Sequence, residues 1–286
     1  MKHKPLFQMF LLYFLSALIA FAGWNSDAAT PAPRIIDEIR HHHKGMAVWW
    51  TGHNGWLIKS DSLLVAFDLA LESGDRKVPA PVSARELSAE LDIAFITHEH
   101  GDHFERETSA ILNTNSHCLF VMPANCLEAA RELNIPESRI KIAEPRKPFD
   151  LGAVHVEPIR AIHGNPRFAV FYDANLQDCG YVVCINGKRL LQMGDTVLLE
   201  DHLFLEDIDV LFFSPTEHNT HIDPSLVLIN ELQPEYIFPQ HRDTFQVTPE
   251  NRYWTTAYTY EVRLRLCKSL QEAYHILDMG EKMCIQ

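Results

Sequence analysis

No two of the six cysteines have the spacing of a metal motif, which excludes a thiolate zinc finger or ribbon. Cys118 and Cys184 fall inside apolar runs and Cys267 on a helical pattern. They read as core thiols, not as a disulfide framework; Cys267 and Cys284 are the best-placed pair if any bridge forms. Positive charge is also scarce. The 286-residue chain has a formal net charge of −13, and binding to nucleic-acid phosphates needs a cationic surface. No internal repeat and no low-complexity segment is evident. The longest apolar run, Phe7 to Ala22, falls short of the roughly 20 residues that a transmembrane helix requires.

That run follows Lys2 and Lys4 and closes on Ala20-Phe21-Ala22, a small-x-small cleavage pattern before Gly23. Residues 1–22 therefore read as a signal peptide, which implies export to a periplasm or secretion. The alternative is a single membrane anchor, and only then would a membrane be a partner. Without a cysteine near the end of the run, lipid attachment is not expected. Residues 23–45 read as a polar linker. His41-His42-His43 lies within it, as a solvated stretch that no rigid element holds convergent. Regular structure is expected over 46–286.

The chain does hold a dense set of metal-capable side chains. Thr97-His98-Glu99-His100-Gly101-Asp102-His103 directly follows the apolar run Leu91 to Ile96, which reads as a buried strand. His98 and His100 alternate, so they face one side of an extended segment. Gly101 is expected to let the backbone turn sharply, which would aim Asp102 and His103 at a neighbouring point. Imidazole and carboxylate without thiolate suit zinc and, less closely, manganese or iron. The same pattern recurs further on. Strands are expected over 153–162, 189–193 and 236–239, and they run into His163, Asp195 and His241. Other strands are expected over 47–51, 55–59, 63–67, 118–122, 139–143, 180–185, 209–213 and within 275–285. Helices are expected over 84–91, 104–112, 124–133, 224–232 and 257–273. Seven donors at strand ends match two ions that share one carboxylate, and active sites collect at such ends.

His-x-His-x-Asp-His, a later His163, Gly194-Asp195-Thr196 and a last His241 resemble the metallo-β-lactamase superfamily over about residues 46 to 286. The resemblance implies an α+β fold, a four-layer αββα sandwich with a dinuclear site at one edge. It also implies that His98, His100 and His163 hold one metal, that Asp102, His103 and His241 hold the other, and that Asp195 bridges. Thr51-Gly52-His53, Asp68 and Pro239-Gln240-His241 resemble more closely the branch that contains ascorbate-6-phosphate lactonase. Leu69, the histidines at 218 and 221, and the aromatic segment 251–260 depart from that branch.

The chemistry expected is hydrolysis by a metal-bridging hydroxide, with Asp102 as the catalytic carboxylate that orients it. His53, Asp68, Thr97, His218 and His221 are expected behind the ligands or around the pocket, with Tyr253 and Trp254 at its border. The cofactors expected are two divalent ions, zinc first and manganese or iron as alternatives. The partner is a small-molecule substrate. An anionic one is compatible with the net charge, because bound dications dominate a local site. Ester, lactone and phosphodiester are the candidate classes. A phospholipase D-like phosphodiesterase and a catalytically silent metal-binding protein are the alternatives. A carboxylate at position 195, where the best-known zinc β-lactamases use cysteine, argues against lactam cleavage.

Overall fold

Alternation along the first strand sets the layering. In β1 (Met46–Gly52), Ala47 and Trp49 join one apolar cluster, while Met46, Val48 and Trp50 join another. Side chains with period 2 on a strand buried on both faces must enter two separate cores. The same division runs through the computed structural model, which describes residues 34–115, 117–164, 176–249, 251–252 and 254–286. The apolar N-terminal run with its cleavage site, the linker up to Pro33, and Tyr253 lie outside the described residues.

The elements in chain order are α1 (Ile35–His41), β1, β2 (Gly55–Ser60), β3 (Leu63–Phe67), α2 (Ala84–Leu87), β4 (Ile93–Phe95), α3 (Arg106–Asn115), β5 (Leu119–Pro123) and α4 (Leu127–Glu132). Next come β6 (Ile140–Ala143), β7 (Phe149–Leu151), β8 (Val154–Arg160), β9 (Cys179–Ile185), β10 (Lys188–Gln192) and β11 (Val210–Phe213). The chain closes with α5 (Ile222–Leu232), β12 (Tyr236–Pro239), α6 (Ala257–Arg265), α7 (Lys268–Ala273) and β13 (Lys282–Ile285). They build a seven-stranded sheet, β13-β1-β2-β3-β4-β5-β6, and a six-stranded sheet, β12-β11-β10-β9-β8-β7.

Three apolar clusters then make four layers. Ile35, Trp49, Leu57 and Leu112 belong to the cluster between the first sheet and its helices. Trp56, Phe67, Phe95, Tyr181 and Phe212 belong to the cluster between the sheets. Val182, Leu211, Phe213, Leu228 and Val262 belong to the cluster under the second sheet's helices. This is the αββα sandwich that the resemblance implied. Strands β3 to β6 run parallel, as do β10 to β12, so their C-terminal ends gather on one edge of each sheet.

Several expectations need correction. The linker is not featureless: Ile35–His41 is a helix whose Ile35, Ile36 and Ile39 are buried. That i, i+1, i+4 spacing is an apolar stripe, and it overrides the polar surroundings. His41, which ends the helix, and His42 and His43 after it remain outside any metal-capable group among the described residues. The expected helix over 257–273 is two helices, broken at Leu266 and Cys267, both extended in ψ. β7 was not anticipated. All six cysteines are free, Cys267 and Cys284 included. No helix among the described residues is long and apolar enough to cross a membrane.

Candidate metal centre

Each donor enters the site from a strand end. His98 to His103 follow β4, His163 follows β8, Asp195 follows β10, His218 lies after β11 and His241 follows β12. His53 sits in the turn between β1 and β2, with φ of 51°. His241 is also left-handed, with φ of 60°, and its N–H donates to the His53 carbonyl at 3.0 Å. The two sheets meet closely here. A Cβ added at Gly194, where φ is +64°, would lie 2.7 Å from the Thr97 Cβ, so the turn into Asp195 requires glycine. Gly101 has no such role. It is not left-handed and its missing Cβ faces open space. The turn is closed instead by N–H groups of His103 and Phe104 donating to the His100 carbonyl at 2.9 and 2.7 Å.

Imidazole orientation follows from one buried carboxylate. Asp68 accepts from the Thr97 N–H and the Thr97 hydroxyl, each at 2.8 Å. It also accepts from His103 Nδ1 at 3.0 Å. Thr97 has spent its only proton, so its oxygen accepts from His98 Nδ1 at 3.1 Å. His163 Nδ1 donates to the Gly164 carbonyl at 2.8 Å. In all three rings the Nε2 lone pair is left facing the centre. His98 Nε2 and both ring nitrogens of His241 are buried with no hydrogen-bond partner among the described residues. Buried polar atoms rarely stay orphaned, and a cation is the partner that lone pairs and carboxylates would share.

The donors converge in four groups, each with its donor atoms within 4.8 Å of one another: His53, Asp102, His103 and His241; His98, His100 and His163; His98, His103 and Asp195; His163, Asp195 and His218. Asp195 is the hinge of the arrangement. Its Oδ2 lies 2.9 Å from His241 Nε2 and 3.4 Å from both His163 and His218 Nε2, while its Oδ1 lies 3.5 Å from His103 Nε2. Asp102 Oδ2 accepts from His53 Nε2 at 2.8 Å and lies 3.6 Å from His241 Nε2.

Electrostatics prepare these groups for a dication. Burial would raise the Asp195 carboxyl, but His241, His103 and hydrogen bonds from His103 and His163 outweigh it and hold it well below the usual range. Asp102 is held low against burial in the same way, by His103, His53 and His241. Burial, aided by His103, keeps His98 neutral. Burial also pushes His53 down to about 3 and His218 to about 4. Two rings go the other way: against burial, Asp195, Asp102 and Asp68 hold His103 well above the usual imidazole value, and Asp195 raises His163, so a dication would have to displace those protons.

His53 and His218, placed in the sequence around the pocket, lie inside the donor cluster itself. His221 does not: it is half-buried, with its ring 5.6 Å from Tyr258. Trp254 and Phe245 pack on His53 at 5.0 and 4.7 Å, forming an apolar wall. Asn54 and Gln192 escaped the sequence reading, and Gln240 stood in it only as part of the Pro239-Gln240-His241 motif. Asn54 donates to Asp195 Oδ1 at 3.2 Å and to His103 Nε2 at 2.9 Å. Gln192 and Gln240 exchange reciprocal amide hydrogen bonds of 3.1 and 2.7 Å. Gln240 also accepts from Trp56 Nε1 at 2.9 Å, and Gln192 from the Gly194 N–H at 3.1 Å. Their only sequence signal is a polar residue within an apolar strand end, just before a metal donor.

A four-layer αββα sandwich with a His/Asp cluster at its edge sets the class of protein as a metal-binding one. The chain belongs to the metallo-β-lactamase superfamily: the family model described as "Beta-lactamase superfamily domain" matches residues 66–241. Among its relatives is a UPF0173 metal-dependent hydrolase of Carboxydothermus hydrogenoformans, 24% identical over 71% of this chain and 87% of the relative. Another, from Natranaerobius thermophilus, is 28% identical over 59% of this chain and 72% of its own length. The fold is shared with Igni18, a metallo hydrolase from Ignicoccus hospitalis. That structure has a TM-score of 0.65 and 18% identity, with coverage of 84% of this chain and 98% of that one. An isothiocyanate hydrolase from Delia radicum gut bacteria has the fold at a TM-score of 0.64 and 15% identity, covering 84% and 99%. The chain is thus a metal-dependent hydrolase of this superfamily, with a His/Asp cluster fit to hold divalent metal.

Proposed function

We propose that this chain binds two divalent ions, zinc foremost, and hydrolyses an ester, lactone or phosphodiester. The observation that carries the reading is Asp195, whose two oxygens face different imidazoles. His98, His100 and His163 would hold one ion, and Asp102, His103 and His241 the other, with Asp195 shared between them. When bound, such ions acidify a water and polarise the scissile oxygen.

The chain's own residues then fix the geometry. Asp68 and Thr97 engage Nδ1 of His103 and His98, which leaves Nε2 of each ring as the atom a metal would take. His53 holds Asp102 in the position from which a carboxylate can orient an attacking water and accept its proton. His218 stacks on His163 with ring centroids 5.1 Å apart and braces Asp195, its Nε2 3.4 Å from Oδ2. Trp254 and Phe245 exclude water behind His53. A carboxylate at 195 supports ester, lactone or phosphodiester over lactam.

The test is elemental analysis of the purified chain together with a panel of lactones, phosphodiesters and lactams. Two ions per chain with turnover of the first two classes are expected; metal without turnover of any member would overturn the hydrolytic reading. The reading extends to location. Residues 1–22 would be a cleaved export signal and 46–286 the catalytic domain. N-terminal sequencing decides this: a mature chain starting near Gly23 is expected, and an intact Met1 in membrane fractions would indicate an anchor.

A further inference from the structure

A cavity of about 500 Å³ opens beside the metal-donor cluster without including any of its residues. Its lining comes from strand ends. Ala124 follows β5, Pro145 and Arg146 follow β6, and Arg160 and Ile162 close β8. These ends share the edge from which β4 delivers His98, because β4, β5 and β6 are parallel neighbours. Two strand spacings separate β6 from β4, roughly 10 Å. Ile162 is also the residue directly before His163. The cavity therefore starts one residue from the cluster and runs about two strands away from it. Crevices at the carboxyl ends of parallel strands are where such sheets bind ligands.

The charges around it are arranged in a particular way. Arg146 and Arg160 line the cavity, and Asp201, which holds them, does not. Asp201 accepts from Arg146 Nε and Nη2 at 3.0 and 2.7 Å, and from Arg160 Nε and Nη2 at 2.9 and 2.8 Å. One carboxylate thus clamps the same edge of both guanidinium forks, and the Nη1 group of each has no hydrogen bond among the described residues. Arg146 is also fixed through its backbone. It is left-handed, with φ of 65°, and its N–H donates to the Pro158 carbonyl in β8 at 2.8 Å. Nearby carboxylates have partners: Glu144, the acidic residue in the lining, pairs with Lys147, Asp178, next to Gln177 of the lining, accepts from Asn125 Nδ2 at 2.9 Å, and Glu200 acts on Arg160. The rest of the lining is largely apolar, with Ala124, Ile142, Pro145 and Ile162.

We propose that this cavity binds the anionic end of the substrate. Arg146 and Arg160 would receive a carboxylate or phosphate, and the apolar wall would take a short hydrocarbon segment that reaches back to the metal centre. Arginine suits this task because its planar fork meets both anions through paired N–H groups. The proposal rests on the hydrolase reading in naming the ligand a substrate; the binding site stands on its own geometry. A pair of arginines that serves only to fasten the loop after β6 to Asp201 would not discriminate between ligands.

The experiment has two arms. In the first, hexanoate, hexyl phosphate and neutral hexanol are titrated by calorimetry into the metal-loaded full chain and into its Arg146→Gln and Arg160→Gln variants. Wild type should bind an anionic probe at least about tenfold more tightly than hexanol, a typical worth for charge-assisted hydrogen bonds. Each variant should lose most of that preference, and comparing hexanoate with hexyl phosphate identifies the anion. In the second arm, kcat and KM are measured for two esters of equal length, one ending in a carboxylate and one in a methyl group. The anionic ester should have the lower KM in wild type, and the KM ratio should collapse in Arg146→Gln. Equal affinity for anionic and neutral probes, or a ratio that survives both substitutions, overturns the proposal. If neither ester is turned over, the ester class is excluded while the calorimetric arm still decides the cavity. Arg146 is largely exposed, so its variant remains informative if Arg160→Gln does not fold.

Discussion

Asp68 is fully buried and carries no ligand role, yet three hydrogen bonds converge on it. Asparagine at this position would keep the shape and place an N–H₂ where Thr97 or His103 now donates. The His103 ring would then lose the partner that holds its Nδ1 proton. Asp68→Asn is expected to lower metal affinity by about 10–100-fold with the fold retained. Competition with a chelator of known affinity, beside circular dichroism, checks this; unchanged affinity would assign Asp68 to packing alone. Asp201 makes a separate, metal-independent prediction. Arg160 foremost, and then Arg146, hold its carboxyl below the usual range against the opposing effect of burial, which outweighs the Arg146 hydrogen bond alone. A folded-state value lower than the unfolded one stabilises the fold above the unfolded pKa, about 4, and that contribution disappears as pH falls through the lowered value. The melting temperature of Asp201→Asn should therefore lie below that of wild type at pH 7, with the gap closing toward pH 3. A gap that is independent of pH would contradict it.

At the scale of elements, the strand ends are tied together by a buried amide pair. β10 and β12 are not neighbours, since β11 lies between them. Gln192 and Gln240 nevertheless reach across that strand's end and bond each other, three residues before Asp195 and one before His241. Trp56 from the other sheet joins them. Replacing one glutamine by leucine strands the other's amide and the Gly194 N–H or the Trp56 N–H, at about 1–3 kcal/mol for each unsatisfied group. The double variant should cost less than the sum of the singles, because neither amide then lacks its partner. A double-mutant cycle by urea unfolding measures the coupling; strict additivity would show that the pair is not a unit.

Legibility in the sequence also sorts by element. Strands bearing donors could be read because each is an apolar run that stops at a histidine or aspartate, as Ile93–Phe95 does before His98. β7 could not, because Phe149-Asp150-Leu151 is three residues long and gains its status only by pairing with β8. α1 was obscured by the prolines and histidines around it, although Ile35, Ile36 and Ile39 carry its stripe. His53 and His218 were legible as polar residues near the site. Their entry into the donor cluster depends on the β1–β2 turn and the loop after β11 folding over the same edge. Nothing local in Arg265-Leu266-Cys267 marks the break between α6 and α7.

Across the whole molecule, two sheets bring strand ends from distant parts of the chain to one edge, and the layered cores on both sides hold them there. As proposed above, this edge would hold two ions through a shared Asp195. The most direct measurement is metal content per chain, by elemental analysis, for wild type and Asp195→Asn, with circular dichroism and turnover on the same preparations. Wild type should carry two ions. Asp195→Asn should keep its fold and lose one ion more readily than the other, since less negative charge then offsets the repulsion between them. Its turnover should drop at least about tenfold, roughly 1.4 kcal/mol in the barrier. One ion or none in wild type, or both ions and full turnover in the variant, would contradict the account.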